Sequence, residues 1–211
     1  MSSISDYYWY APLYEPPDFT SREFGFRKNG DKMIRHKAFS SVSKLRTSCI
    51  ELAPDHVYYS SSRYADPTAY PMEDKKKGWL GSDLVFDIDY DHLLKKPTLK
   101  EARRQGDKLL VILGEQLGFK DMLYVDSGSR GFHVHVHDKC VQRLDNAERR
   151  EIVDFFGHYI VKPKYGRKII NPNWVEIDTV VTTDFTRLIG LPGSLNVKKD
   201  AARPCAIIER Y

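Results

Sequence analysis

With 211 residues, 41% of them hydrophobic, the chain is long enough for one large globular domain or two small ones. The formal net charge of +4 permits a polyanionic partner without requiring one. The three cysteines are widely spaced, which argues against a disulfide framework, and no apolar run approaches the roughly 18 residues of a membrane span. The composition therefore predicts a soluble, cytoplasmic protein with reduced thiols.

The first part of the chain predicts a hairpin, a short helix and a strand behind an aromatic arm. Asn29-Gly30 is a strong hairpin-turn signal between two extended runs. In chain order, the predicted elements are an arm rich in Tyr and Pro at 1–20, strands at 22–27 and 32–39, a helix at 41–53, a strand at 56–60 and a polar loop at 61–82.

The next strand, 84–89, carries the first chemical signal. Side chains alternate along a strand, so Asp87 and Asp89 lie on one face while Phe86 and Ile88 lie on the other. Two neighbouring carboxylates raise each other's pKa unless a cation lies between them. Their hard oxygen atoms favour magnesium, manganese or calcium, and paired ions are common in phosphoryl displacement. The pattern predicts a divalent metal site, with two solvated acids at a strand end as the alternative.

The second part of the chain alternates helical and extended patterns. Thr98 with Glu101 indicates a capping box, and Gly118 indicates the C-terminal stop of the same helix. The predicted elements are helices at 98–117 and 145–161, strands at 123–126, 132–137 and 174–178, a turn or short helix at 184–189, and a last strand at about 204–209. Asp178 ends its predicted strand as Asp89 does, so we expect a third carboxylate at the site, with a capping or salt-bridging role as the alternative.

Two further features lie near the second of these strands. Ser127-Gly128-Ser129-Arg130-Gly131 is a small, glycine-rich turn that can bring N–H groups and a guanidinium to phosphate oxygens. In the strand that follows, His133, His135 and His137 share one face. We favour a single functional histidine over a three-histidine zinc site, because zinc ligands converge from more than one straight strand.

These motifs together resemble the catalytic small subunit of archaeal and eukaryotic DNA primases over most of residues 20 to 205. The segments that carry the resemblance are Arg22-Glu23-Phe24-Gly25-Phe26, Ile34-Arg35 with Phe39, Tyr59-Ser60-Ser61, Leu84-Val85-Phe86-Asp87-Ile88-Asp89, Ser127 to His133, Asp178, Val181-Thr182-Thr183 and Leu188 to Leu195. The order and spacing of the segments match that family.

The resemblance implies an α/β (α+β) primase-type catalytic domain. Its central mixed β-sheet would carry the acids, helices 98–117 and 145–161 would pack against it, and no zinc knuckle is expected because residues 91–98 leave no room for one. The whole chain, 1–211, would form a single domain, either complete or as the catalytic part of a longer polypeptide.

The resemblance also implies roles for individual residues. Asp87, Asp89 and Asp178 would bind two Mg²⁺ or Mn²⁺ ions and be the catalytic residues. The predicted nucleotide-binding residues are Ser127, Gly128, Ser129, Arg130, His133, Arg35, Arg187, Asn196 and Lys198.

Three positions depart from the family pattern, which often has Arg at Ser129, a basic residue at Gly190 and His at Asn196. We expect Arg187, Lys198 or Lys199 to replace the missing phosphate contacts.

The implied function is that of a nucleotidyltransferase of the replication machinery. It would synthesise short RNA or DNA primers from NTP or dNTP on a single-stranded DNA template, beside a large-subunit-like iron–sulfur domain in cis or in trans and away from any membrane. The alternatives are a non-catalytic nucleic-acid-binding replication module with a degenerate triphosphate site and a metal-dependent phosphatase. Asp91 disfavours the phosphatase, since Thr or Val is expected there.

Overall fold

A computed structural model describes residues 3–28, 30, 32–70, 74–93, 97–162, 167–198 and 201–211. The α/β class is confirmed. The helices in these ranges are α1 (Ile4–Tyr10), α2 (Val42–Leu52), α3 (Asp74–Lys77), α4 (Leu99–Val111), α5 (Asn146–Phe155) and α6 (Thr179–Thr183). None of them is long and apolar enough to cross a bilayer.

The strands in the described ranges form two larger sheets and one hairpin. The strands are β1 (Arg22–Lys28), β2 (Lys32–Lys37), β3 (His56–Tyr64), β4 (Trp79–Ser82), β5 (Leu84–Asp89), β6 (Met122–Asp126), β7 (Gly131–Val136), β8 (Tyr159–Lys162), β9 (Arg167–Ile170), β10 (Leu188–Gly190), β11 (Leu195–Lys198), β12 (Ala201–Pro204) and β13 (Ala206–Arg210). The seven-stranded sheet has the order β12-β11-β3-β1-β2, with β4 and β10 also paired to β3. The four-stranded sheet has the order β13-β6-β7-β5, and β8 pairs with β9.

Every pairing in the described ranges is antiparallel, so the expected single, mixed central sheet was wrong. The reason lies in the connection through α4. This helix joins β5 to β6, and the two strands run in the same direction, as in a crossover unit. However, β7 lies between them and pairs with both, so the parallel strands are never direct neighbours.

Local signals placed most helix ends correctly. Ser41 caps α2 and Thr98 caps α4, each by accepting a backbone N–H three residues on. After α4, the helix continues as one π-helical segment, Ile112–Gln116, before Gly118 ends it with a φ of +76°.

Three predicted elements were wrong. The polar loop predicted at 61–82 contains the end of β3, the helix α3 and the strand β4. Helix α5 stops at Phe155 instead of 161, because Gly157 interrupts it and the following β-branched run forms β8. The predicted strand at 174–178 is an extended segment that belongs to no sheet in the described ranges. It runs along α5 and the smaller sheet with Val175 buried in their core.

Strand β5 separates two hydrophobic cores. Phe86 and Ile88 pack with α4 and α5 in the core beneath the smaller sheet. Val85 points the opposite way, into the core that the larger sheet forms with α1 and α2. Because Asp87 and Asp89 share the face of Val85, strand alternation directs both carboxylates into the space between the two sheets.

A buried ion network joins the start of β5 to the larger sheet. Arg22 is fully buried, and its Nη1 lies 2.9 Å from Oδ2 of Asp83. The same guanidinium donates hydrogen bonds to the carbonyl oxygens of Ser60 and Ser61. His137 Nδ1 lies 3.2 Å from the same Asp83 oxygen. The network therefore ties β1, β3, β5 and the end of β7 together through charge.

Candidate active site

A cavity of about 380 Å³ lies between the two sheets. The smaller sheet contributes the acidic end of β5, and the larger sheet contributes β1, β3, β10 and β11. The predicted site residues that line the cavity are Asp87, Asp89, Asp178, Ser127, Ser129, Arg130, His133, Arg187, Asn196 and Lys198. The tertiary structure thus brings together side chains that are up to 111 positions apart in the sequence, from Asp87 to Lys198.

The acidic wall of the cavity consists of Asp87, Asp89 and Asp178. Asp178 reaches this wall because its backbone N–H donates to the carbonyl oxygen of Asp87 at 2.8 Å. Its carboxylate accepts the N–H of Val180 at 2.9 Å and so also caps α6. Burial raises the pKa of Asp87, and the negative charges of Asp89 and Asp178 raise it further, while the neighbouring His133 opposes the rise. The three acids are therefore close enough to repel one another.

Nitrogen-bearing side chains already lie beside two of these acids. Arg130 Nη2 lies 2.9 Å from Oδ2 of Asp89, and its Nη1 pairs with Asp91. His133 Nε2 lies 3.6 Å from Oδ1 of Asp87. In the described part of the chain, no three His, Cys, Asp or Glu side chains are grouped as a ready-made metal site. The donor set nevertheless fits a hard divalent cation, since it consists of mutually repelling carboxylate oxygens.

The glycine-rich turn is held largely by its own hydrogen bonds. Ser127 Oγ accepts the N–H groups of Ser129 and Gly131, and the Gly128 N–H donates to Asp126 at 2.8 Å. Gly128 lies behind the cavity with a φ of +69°, where a Cβ would lie 2.8 Å from two carbonyl oxygens. Its predicted nucleotide contact is thus not part of the cavity lining. Arg130 is the charged group that this turn presents.

At Gly131 the backbone of β7 lies very close to the backbone of β5. A Cβ at this position would lie 1.9 Å from the carbonyl oxygen of Ile88, in the strand that carries the acids. We expect Gly131→Ala to force β5 and β7 apart, to lower the free energy of unfolding by about 1–3 kcal/mol or more, and to displace Asp89. Chemical denaturation measures the first effect. Gly114→Ala is the matched control, since its Cβ would make an ordinary 3.5 Å contact; equal stability of the two variants would contradict this expectation.

The three histidines of β7 do not form a joint site. His133 lines the cavity, His135 is fully buried with its Nδ1 2.9 Å from the hydroxyl of Tyr59, and His137 contacts Asp83. Each ring therefore has a different partner, which supports the interpretation of one histidine at the site.

Arg35 is a predicted site residue that the structure places in an ion pair outside the cavity lining. Arg35 does not line the cavity: its Nε and Nη2 donate to the buried carboxylate of Glu23 at 2.9 and 3.3 Å. The Arg35 guanidinium is therefore engaged by Glu23 of β1. Lys199 lies outside the described residues.

Sequence reasoning missed four polar side chains of the cavity lining, which are those of Arg27, His56, Tyr58 and His92. Strand alternation indicates that His56 and Tyr58 share a face, since Val57 and Tyr59 are both core residues. It does not indicate which face borders the cavity. That assignment depends on which sheet lies opposite β3.

The fold is similar to that of a solved polymerase domain. The polymerase domain of Mycobacterium tuberculosis ligase D, solved in complex with DNA, superposes with a TM-score of 0.55 at 15% identity, over 91% of this chain and 75% of that one. At this identity the likeness concerns the fold.

The sequence comparisons identify the family. The family model "DNA primase small subunit" matches residues 86–203. The DNA primase small subunit PriS of Pyrobaculum calidifontis is 40% identical, with 90% of this chain and 71% of the relative covered. The corresponding protein of Archaeoglobus fulgidus is 42% identical, with 92% and 76% covered. The chain belongs to the DNA primase small subunit family.

Proposed function

We propose that this chain is the catalytic subunit of a DNA primase, a nucleotidyltransferase that makes short RNA or DNA chains on a single-stranded DNA template. The carrying observation is the single cavity in which an acidic wall, Asp87 with Asp89 and Asp178, faces cationic side chains from the larger sheet. Such a cavity suits a triphosphate whose α-phosphate is attacked in line by a 3′-hydroxyl, since this reaction depends on positioning and charge stabilisation.

The acidic wall is the proposed site of the divalent ions. Mg²⁺ or Mn²⁺ bound by Asp87, Asp89 and Asp178 would supply charge neutralisation to the phosphate oxygens and lower the pKa of the attacking hydroxyl. Binding also relieves the repulsion that raises the pKa of Asp87. Arg130 pairs with both Asp89 and Asp91. In this proposal its guanidinium turns from Asp89 toward phosphate once that carboxylate binds an ion.

The other cavity residues orient the nucleotide in this proposal. His133 and Arg130 approach the phosphates from the smaller sheet, while Lys198 and Arg187 approach from the larger one. Arg187 also forms an ion pair with Asp184 at 3.1 Å, which partly neutralises its charge. Together they offset the negative charge of the triphosphate.

The chain spans 71% of the length of the Pyrobaculum calidifontis relative that it matches. We propose that residues 1–211 form one catalytic domain of the cytoplasmic replication machinery and that it works with a large-subunit-like iron–sulfur domain, in cis or in trans.

A template assay tests the proposed activity. The purified protein is incubated with single-stranded DNA, labelled NTP or dNTP, and Mn²⁺, Mg²⁺ or excess EDTA. Template-dependent products that disappear with EDTA are expected. Retained template binding without product would instead indicate a non-catalytic replication module, and phosphate release without chain growth would indicate a phosphatase.

A further inference from the structure

On the larger-sheet side of the cavity, three polar residues form a row across neighbouring strands. His56 of β3 is the direct partner of Arg27 on β1 and of Asn196 on β11. Arg27 Nη2 donates to Asn196 Oδ1 at 3.3 Å and to the carbonyl oxygen of Val197 at 2.9 Å. Asn196 in turn donates to the carbonyl oxygen of Ser127 at 3.0 Å. The row is therefore fixed to the turn that carries Arg130.

Two polar groups of this row are buried without a partner. His56 is 5% exposed, and neither of its ring nitrogens has a hydrogen-bond partner in the described part of the chain. Arg27 Nε is likewise buried and unpaired. Buried donors without partners reduce stability, and they are rare unless a ligand uses them. Both residues line the cavity.

The ring of His56 occupies a space that depends on Gly190. A Cβ at Gly190 would lie 2.8 Å from His56 Nε2, so any side chain there would displace the ring. Tyr58 supports the ring from the other side, with the centroids 4.3 Å apart. The two sequence departures at Gly190 and Asn196 are thus the immediate neighbours of His56.

The charge around the row is positive. Burial lowers the pKa of His56 to about 3, and the neighbouring Arg27, His133 and Lys198 contribute to this lowering. The neutral ring has one N–H to donate. The pKa of Lys198 is also lowered, mainly by burial and then by the positive charge of Arg130. An anion in this part of the cavity would find two unpaired donors and uncompensated positive charge.

We propose that His56 and Arg27 bind the terminal phosphates of the incoming nucleotide and so distinguish a nucleoside triphosphate from a monophosphate. This inference rests on the proposed function, because it uses the same cavity. The α-phosphate would lie toward the acidic wall, and the terminal phosphates would extend toward β1, β3 and β11. Arg27 contributes charge and its free Nε–H, and His56 contributes a neutral N–H.

The test measures binding of ATP and AMP by calorimetry with Mg²⁺ and without template, so that it does not depend on chain synthesis. His56→Phe retains a ring between Gly190 and Tyr58 but removes both nitrogens. We expect it to weaken ATP binding about 10-fold or more, as for a hydrogen bond to a charged group, and to leave AMP binding unchanged. Its melting temperature should equal or exceed that of the wild type, because an unpaired buried polar group is removed.

His158→Phe provides the matched control, since the same substitution is made at a histidine that stacks on Trp174, with the ring centroids 3.9 Å apart, and does not line this cavity. Three results would overturn the inference: no preference of the wild type for ATP, an unchanged preference in His56→Phe, or an equal loss of ATP and AMP binding. Failure of primer synthesis with a retained ATP preference would overturn the proposed function and leave the inference standing.

Discussion

Asp87→Asn is expected to reduce nucleotide incorporation by about 10³-fold or more, because a bound divalent ion supplies several kcal/mol of charge stabilisation. Asp87 lies next to His133 on the acidic wall, and its backbone also anchors Asp178. The amide retains the size of the side chain and removes its charge. Incorporation of labelled nucleotide on a primed template, compared with the wild type, measures the effect.

The same substitution should not destabilise the fold. Burial and the neighbouring acids raise the pKa of Asp87, so its ionisation is less favourable in the folded state than in the unfolded state. The stabilising contribution of this group is present below its unfolded pKa of about 3.9 and is lost as the pH rises through the higher folded value. At pH 7 without divalent ions, Asp87→Asn should therefore be as stable as the wild type or more stable, as measured by urea unfolding.

Binding of divalent ions by Asp87 can be measured independently of nucleotide incorporation. Mn²⁺ should raise the melting temperature of the wild type by mass action and that of Asp87→Asn much less. Asp107→Asn is the matched control, since Asp107 is exposed on α4 and pairs with Arg103. If Asp87→Asn incorporated nucleotide at the rate of the control, the proposed metal site would be refuted.

Asp83→Ala is expected to lower the free energy of unfolding by about 3–5 kcal/mol, because it leaves the charge of Arg22 buried and uncompensated. Arg22 is fully buried and its Nη2 already has no hydrogen-bond partner in the described part of the chain. Asp18→Ala is the control, as its pair with Arg63 is exposed and should contribute less than about 1 kcal/mol. Urea unfolding of both variants measures the two effects. A similar loss of unfolding free energy in the two variants would contradict this expectation.

The pH dependence of Asp83 has the opposite sign to that of Asp87. Burial alone would raise the pKa of Asp83, but the hydrogen bond to His137 and the charge of Arg22 hold it well below its ordinary value. Its contribution to stability is present above the unfolded pKa of about 3.9 and is lost as the pH falls toward the lower folded value. The stability difference between wild type and Asp83→Ala should therefore shrink below about pH 4.

Local sequence signals predicted the acidic strand and most of the helix ends. Alternation over Leu84–Asp89 identified the polar and apolar faces of β5, and a capping serine or threonine identified the starts of α2 and α4. These signals succeed because they depend on neighbours two to four positions away. The same locality explains the error at α5, where an apolar helical pattern continued past Gly157 into residues that pair with β9 instead.

The site residues come together through contacts between distant segments, and no local sequence pattern contains such contacts. Asp178 reaches Asp87 through a backbone hydrogen bond across 91 positions, without the strand that the sequence predicted. His56 reaches Asn196 through sheet pairing across 140 positions. The sequence by itself determined which side chains could bind metal and phosphate. Only the tertiary structure decided that the acids share one wall, that Arg35 pairs with Glu23 instead, and that His56 faces the cavity, because strand pairing between distant segments sets which face meets which.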